Sequence, residues 1–145
     1  MKIIGRIDKV DFPELDLHDI DIKVDTGAYT SSIHSHEIKE VDLDGMKHLE
    51  FRLLDSSHPK YNNKVFKVKN YKTKLVKSSF GAVEQRYIFK TTILIFETEY
   101  SIKLSLSERS DMKYPVLLGR RFLNKRFIVD TSLKNLSFKI EKNKK

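Results

Sequence analysis

The chain has 145 residues, no cysteine and a formal net charge of +8. This length suits one domain with its own core, and the lack of cysteine excludes disulfides, thiolate catalysis and cysteine-ligated zinc and fits the reducing cytoplasm. Arg6, Asp8 and Lys9 interrupt the apolar start of the chain, so we expect no signal peptide, no membrane span and a cytoplasmic location. The positive charge favours acidic partners.

Apolar and polar residues alternate along most of the chain, which is typical of half-buried strands. In chain order the pattern occurs at 20–24, "LEFRLL" (49–54), "VFKVK" (65–69), "YIFKTTILIF" (87–96), "YSIKLSLSE" (100–108) and "LSFKI" (136–140). The residues "ETE" leave room for a hairpin between the two long runs, and "DSSHPKYNNK" (55–64) is typical of an exposed loop. We count seven or more strands, which predicts an all-β fold, a closed barrel or a sandwich.

Helical signals are few. The segment "RRFLNKRF" (120–127) predicts one short helix, and "SSIHSHEIKE" (31–40) a single helical turn. No linker or repeat of fixed period divides the chain, so we predict one domain over residues 1–140, followed by a flexible basic tail at 141–145.

The stretch "IKVDTGAYTSSIHS" (22–35) places Asp25 where an apolar alternating run ends in a turn. Gly27 permits close approach of another backbone, and the Thr26 hydroxyl can bond across to a partner. Two such turns facing each other would let two carboxylates share one proton, so that one acts as base and the other as acid. The tripeptide alone favours an ordinary strand-to-turn junction over a catalytic site.

The segment "YPVLLGRRFL" (114–123) reads as a buried strand closed by Gly119 and followed by a helix start. Asp-Thr-Gly-Ala followed later by Leu-Leu-Gly-Arg resembles the pattern of retropepsin-like aspartic proteases. Residues 78–108 are similar to their flap hairpin and the strands after it, with Phe80 and Gly81 near the tip. The order and spacing are similar to those of a bacterial and archaeal family labelled ATP-dependent zinc proteases, which is retropepsin-like despite that label. The matching positions are Lys23, Asp25 to Ala28, Thr30, Ser31, Ser79, Gly81, Glu84, Arg86, Arg109, Met112, Pro115 and Leu117 to Arg120.

The resemblance implies a closed retropepsin-like β-barrel with a flap hairpin, and a homodimer in which each chain gives one catalytic aspartate. It assigns catalysis to Asp25, Thr26 and Gly27. The substrate-binding residues that we expect are Ala28, Ser79, Gly81, Arg86 and Arg120, with no cofactor and no metal. Tyr29 stands where the family usually has arginine.

The resemblance also implies an acidic substrate. Family members are linked, through neighbouring genes, to a ligase that adds glutamates to a ribosomal protein, so we expect a peptidase acting on a glutamate-rich tail. Arg86 and Arg120 are candidate carboxylate clamps, since arginine binds carboxylates bidentately. For Arg120 the alternative is a buried ion pair that braces the barrel, and we expect Glu84 to pair with Arg86 or Lys77.

Other residues leave alternatives open. "FIVDTS" mimics the catalytic motif, but Ser132 replaces the glycine, so we interpret Asp130 as structural. His34 and His36, with Asp25, could serve a metal-dependent hydrolase, although no third ligand lies at an obvious spacing. A basic β-barrel binding module is the remaining alternative; the scattered lysines and the lack of an aromatic-glycine motif argue against nucleic acid as its partner.

Overall fold

The computed structural model describes residues 1–77, 81–108 and 113–143. Its strands are β1 (Lys2–Ile4), β2 (Ile7–Phe12), β3 (Leu17–Val24), β4 (Ser31–Leu43), β5 (Met46–Leu53), β6 (Val65–Val68), β7 (Tyr71–Lys77), β8 (Val83–Ile95), β9 (Thr98–Ser107), β10 (Val116–Leu118) and β11 (Phe127–Val129). A 3-10 turn covers Pro13–Leu15, and the two α-helices are α1 (Arg120–Leu123) and α2 (Leu136–Asn143).

Within the described residues, nine strands form one sheet, and part of it closes on itself. The order β10, β3, β2, β8, β9, β4 returns to β10, because β10 pairs in parallel with β3 and antiparallel with β4. β5 and β6 extend the sheet from β4, and β7 extends it from β8. The mostly β fold is therefore confirmed, and the closed ring fits the predicted barrel.

The core fills the inside of this ring because the strands alternate in polarity. Ile102, Leu104 and Leu106 of β9 are buried, as the pattern predicts. Phe51 is fully buried and packs against Phe89 at a centroid distance of 5.1 Å. Burying one such aromatic side chain contributes roughly 1.5–3 kcal/mol.

The predicted hairpins are present. β8 and β9 are antiparallel with Ile95 opposite Thr98, so the turn lies one residue earlier than "ETE". β7 and β8 form the hairpin that the sequence predicts as the flap, and Gly81, with a φ of +82°, lies in the connection between them. Ser79 and Phe80 lie outside the described residues.

Two local predictions are wrong. "LSFKI" is not a strand but the first part of α2, which continues through Asn143, so residues 141–143 of the predicted tail are helical and the fold has a second helix. The reason is tertiary: the carboxylate of Asp8 on β2 accepts hydrogen bonds from Ser137 N at 2.9 Å and Phe138 N at 3.1 Å, which caps the helix start.

The segment 31–40 is also misassigned, because it forms most of β4 rather than a helical turn. Ser31–His34 pair with β9, and Ser32 and Ile33 also pair with β10. Strand neighbours on both sides override the weak local preference.

A smaller parallel sheet pairs β1 with β11, so that Ile3 lies opposite Ile128. The two strands come from opposite ends of the sequence. Their pairing brings the segment after β1 beside the segment after β11, which forms the second aspartate turn described below.

Candidate active site

Asp25 begins a turn at the end of β3. Its backbone N–H donates to Leu118 O at 2.9 Å, which fixes the turn to β10. Gly27 N–H donates to Asp25 Oδ1 at 3.0 Å, and Ala28 N–H donates to Asp25 O at 3.2 Å. The carboxylate is half-buried, whereas Thr26 and Gly27 are exposed. The turn therefore presents an oriented carboxylate at the protein surface.

Gly119 allows the turn to pack closely on β10. A Cβ at this position would lie 2.7 Å from Tyr29 O and 2.9 Å from Ala28 O. The N–H of Gly119 donates to the hydroxyl of buried Ser31 at 3.0 Å. No larger residue fits here without moving the backbone of the turn. Sequence reasoning matched Ser31 to the family but did not foresee this contact.

Arg120 braces the same turn. Its backbone N–H donates to Ala28 O at 2.8 Å, and its Nη1 donates to Thr26 O at 2.9 Å. Its guanidinium also lies 5.8 Å from the centroid of the Tyr29 ring. Because Arg120 is exposed, the alternative of a buried ion pair is wrong. A cation therefore stands beside the turn although Tyr29 replaces the usual arginine, and the clamp role of Arg120 stays a prediction.

The flap residues lie elsewhere in the sheet. Arg86 on β8 is opposite Lys74 on β7, and its Nη2 is 3.4 Å from Glu84 Oε2. The predicted pairing of Glu84 with Arg86 is thus present. The substrate-binding roles assigned to Gly81, Arg86 and Ser79 stay predictions.

Asp130 follows β11 in a turn of its own. Its Oδ1 accepts bonds from Ser132 N at 3.0 Å and from Ser132 Oγ at 2.6 Å. These two bonds lower the pKa of Asp130 below its usual range. Its backbone N–H donates to Ile4 O at 2.9 Å. This geometry agrees with a structural turn residue.

The segment after β1 holds the Asp130 turn much as the segment after β10 holds the Asp25 turn. A Cβ on Gly5 would overlap the carbonyl of Leu133. Arg6 N–H donates to Leu133 O at 2.8 Å, and Arg6 Nη1 lies 3.4 Å from Thr131 O. The chain therefore contains two Gly-Arg segments, each bracing one Val-Asp-Thr turn.

His34 and His36 have other partners. His34 Nε2 is 3.0 Å from Asp55 Oδ2, and His36 Nδ1 is 2.6 Å from Leu54 O, so this His36 nitrogen donates. The Ser57 hydroxyl and N–H, with a smaller contribution from His34, lower the pKa of Asp55 to about 2. Among the described residues, no three histidine, aspartate or glutamate side chains form a group that could hold a metal ion. The two histidines thus bind the loop after β5 to β4.

A closed ring of strands with an Asp-Thr-Gly turn locked against a Leu-Leu-Gly-Arg segment defines a retropepsin-like domain. A family model described as retropepsin-like aspartic endopeptidase RimB matches residues 3–139, and the chain belongs to this RimB-like family. That description names an aspartic endopeptidase, not an ATP-dependent zinc protease.

The curated relatives have a different name and a greater length. A probable alpha-L-glutamate ligase of Desulfotalea psychrophila is 33% identical over 136 residues, which cover 91% of this chain and 28% of the relative. One of Shewanella halifaxensis is 33% identical over 134 residues, covering 90% of this chain and 28% of the relative. The chain thus spans little more than a quarter of the length of these relatives.

A solved structure supports the fold. The crystal structure of a Legionella pneumophila protein of unknown function (DUF785) matches with a TM-score of 0.69 at 24% identity, covering 94% of this chain and 98% of that one. Within the described ranges, no helix has the length and apolar character needed to cross a bilayer.

Proposed function

We propose that this chain is one subunit of a homodimeric aspartic peptidase that uses Asp25. The observation that carries the proposal is the Asp25 turn. Gly27 N–H fixes Oδ1, while among the described residues no hydrogen bond reaches Oδ2. The carboxylate is therefore held in one orientation with one oxygen open to a reactant, which general-base catalysis requires.

The chemistry needs a second carboxylate. Two Asp25 side chains that meet across a two-fold axis repel each other when both are charged, so they share one proton and their pKa values separate. The charged one takes a proton from water, and the water oxygen attacks the peptide carbonyl. The protonated one then gives its proton to the leaving amine. Thr26 at each turn supplies a hydroxyl that can bond across the axis.

Two surface features support the dimer. Thr26 and Gly27 are exposed in the single chain. Ile3 and Ile128, opposite each other in the smaller sheet, are 48% and 52% exposed. Exposed apolar side chains on short edge strands are what a second copy of the chain would cover.

We infer that the substrate is an acidic polypeptide, such as a glutamate-rich tail, met in the cytoplasm. The net charge of +8 concentrates acidic peptides near the protein. Relatives that share this domain are named probable alpha-L-glutamate ligases, which links the domain to glutamate chemistry. Ala28, Arg120 and the flap residues Ser79, Gly81 and Arg86 are the proposed substrate contacts.

The test is a peptidase assay with a peptide ending in several glutamates and its glutamine counterpart, at low and high salt. We expect faster cleavage of the glutamate peptide, a rate that falls with salt, and no turnover by the Asp25→Asn variant. Sedimentation should show a dimer under assay conditions. Activity of a monomer, or activity that a chelator abolishes, would reject the aspartic dyad.

A further inference from the structure

Cationic side chains line one face of the sheet between the flap and α1. In the β8–β9 pair Lys90 lies directly opposite Lys103, and in the β7–β8 pair Lys74 lies opposite Arg86. Lys72 lies opposite Ile88. Because Ile88 precedes Lys90 by two residues on β8, Lys72 and Lys90 are on the same face of the sheet. We call this set, with Arg121 at its end, the cationic strip: Lys72, Lys74, Arg86, Lys90, Lys103 and Arg121.

The arrangement is unfavourable for the isolated chain. Like charges directly opposite each other on neighbouring strands destabilise a sheet, and the strip contains two such pairs. Arg121 is the largest cause of a lowered pKa at Lys103, followed by partial burial and then by Lys72 and Lys90. Among the described residues, none of these four cations has a carboxylate within ion-pair distance, although Glu84 pairs with Arg86. The positive charge of the strip is therefore mostly uncompensated.

The strip borders hollows on the surface that share lining residues. One, of about 490 Å³, is lined by Lys69, Asn70, Tyr71, Lys72, Ile88, Phe89, Lys90, Lys103 and Arg121. A second, of about 210 Å³, shares the last three of these residues and also reaches Ser31 and Arg126. A third, at Lys90, is bordered by Glu14 and Glu99, so the positive potential ends there.

The strip reaches the neighbourhood of the candidate active site. Arg121 N–H donates to Tyr29 O at 2.9 Å, and Tyr29 follows the Asp25 turn. A chain lying along the strip from Lys72 to Arg121 would therefore end near that turn.

We propose that the cationic strip is a second binding site, which shares only Arg86 with the proposed substrate contacts and holds an acidic stretch of polypeptide. The proposal rests on the proposed function for the identity of the acidic chain. Carboxylates spaced along an extended peptide would neutralise Lys72, Lys90, Lys103 and Arg121 together, which removes the repulsion among them. Binding is then strongest for a chain with several adjacent carboxylates.

The polarity of the two faces favours peptide over RNA. Tyr71, Tyr87 and Phe89 alternate with the strip residues along the two strands. Tyr71 and Phe89 also border the larger hollow, but Phe89 is buried and the Tyr71 hydroxyl donates to Glu40. Binding of single-stranded RNA usually relies on stacking of bases on aromatic rings beside the cations. Among the described residues of these strands, the strip face offers only the aliphatic Ile88 between its cations.

The experiment measures binding without turnover. Asp25→Asn protein is titrated into a labelled octaglutamate peptide, and fluorescence anisotropy gives Kd at low and high salt. The variant carries Lys90→Gln and Lys103→Gln. The matched control carries Lys47→Gln and Lys60→Gln, which remove the same charge from exposed positions near β5. An octaglutamine peptide and a single-stranded RNA of eight nucleotides are the comparison ligands.

We expect the strip variant to raise Kd at least tenfold at low salt, the control variant less than twofold, and salt to reduce the difference. The strip variant should unfold at a temperature at least as high as the parent protein does, because the repulsion between Lys90 and Lys103 is removed. The proposal is overturned if both variants lose affinity for octaglutamate equally, or if the strip variant loses none. It is also overturned if the strip variant unfolds at a lower temperature than the parent, or if the protein binds the RNA more tightly than octaglutamate. This binding assay involves no cleavage. If the wild-type chain has no peptidase activity but binds octaglutamate through the strip, the proposed function is rejected and the cationic strip is still supported as a binding site.

Discussion

Comparing the Asp25 and Asp130 turns shows what one side chain contributes to a candidate active site. Each aspartate donates its backbone N–H, at 2.9 Å, to a residue just before a glycine: Leu118 for Asp25 and Ile4 for Asp130. The turns differ at their third residue. Gly27 gives Asp25 only a backbone donor, whereas the Ser132 hydroxyl also bonds to the Asp130 carboxylate.

The difference separates scaffold from chemistry. Both turns have a Gly-Arg brace and a parallel strand partner, so the backbone arrangement alone does not make a catalyst. The Ser132 hydroxyl adds a second hydrogen bond to Asp130 Oδ1 and stabilises the charged form of that carboxylate. At Asp25 the corresponding Oδ1 accepts only the Gly27 N–H, and in both turns no hydrogen bond from the described residues reaches Oδ2.

Exchange of each aspartate for asparagine is the strongest test. Asp25→Asn should lower kcat by about a thousandfold or more, because the amide keeps the shape of the turn but cannot accept a proton from water. Asp130→Asn should change kcat less than about threefold. Steady-state cleavage of the acidic peptide measures both, and a larger loss at Asp130 would contradict the assignment.

The two glycines probe the shared scaffold. Gly119→Ala and Gly5→Ala each place a Cβ against a carbonyl and should each destabilise the fold by roughly 1–3 kcal/mol, measured by urea unfolding. Gly119→Ala should also abolish activity at temperatures where the protein remains folded. Comparable residual activity in the two variants would show that the Asp25 turn tolerates displacement.

The two arginines separate bracing from substrate binding. Arg120→Gln removes the bond to Thr26 O and should lower kcat about tenfold, because the turn loses its orientation. It should also raise KM, because a proposed substrate contact is lost. Arg6→Gln, where the corresponding distance is 3.4 Å, should have less than a twofold effect. A rise in KM with kcat unchanged in Arg120→Gln would show that Arg120 binds substrate but does not orient the turn, and a fall in kcat with KM unchanged would contradict the carboxylate clamp.

Ser132→Gly makes the second turn resemble the first. Loss of the hydroxyl should raise the pKa of Asp130 toward its usual value, as followed by NMR titration of the carboxyl carbon. Since its folded pKa lies below the unfolded one, Asp130 stabilises the fold above roughly pH 4, and that contribution disappears as pH falls through the folded pKa. In the Ser132→Gly variant, stability should therefore fall less steeply as the pH is lowered. An unchanged pKa of Asp130 in the variant would show that the Ser132 hydroxyl does not cause the lowered value.

Sequence reasoning succeeded where a motif or an alternation is local. The Asp25 turn, the long β8–β9 hairpin and the short helix after Gly119 follow from neighbouring residues. It failed where distant partners decide. Leu136, Phe138 and Ile140 alternate with polar residues as in a strand. The segment is nevertheless helical, because the carboxylate of Asp8, 129 residues before Ser137, caps its N-terminal end.

The brace formed by Gly5 and Arg6 could not be predicted from the sequence for the same reason. Gly5 and Arg6 stand at the start of the chain, and nothing nearby indicates that they hold a turn at Asp130. The cationic strip, too, depends on the register that joins Lys90 to Lys103 and Lys74 to Arg86. A one-residue shift would place these charges on the other face.

The pairing of β1 with β11 has a consequence for how the protein folds during synthesis. Lys2–Ile4 pair with Phe127–Val129, so β1 gains its strand partner only after β2 to β10 have been synthesised. Contacts of such high sequence separation slow folding, because a long loop must close before they form. Asp8 likewise stays hydrated until α2 leaves the ribosome, and its burial then raises its pKa. Completion of the Asp130 turn is therefore a late event, whereas β8 and β9 can pair as soon as residue 107 has emerged.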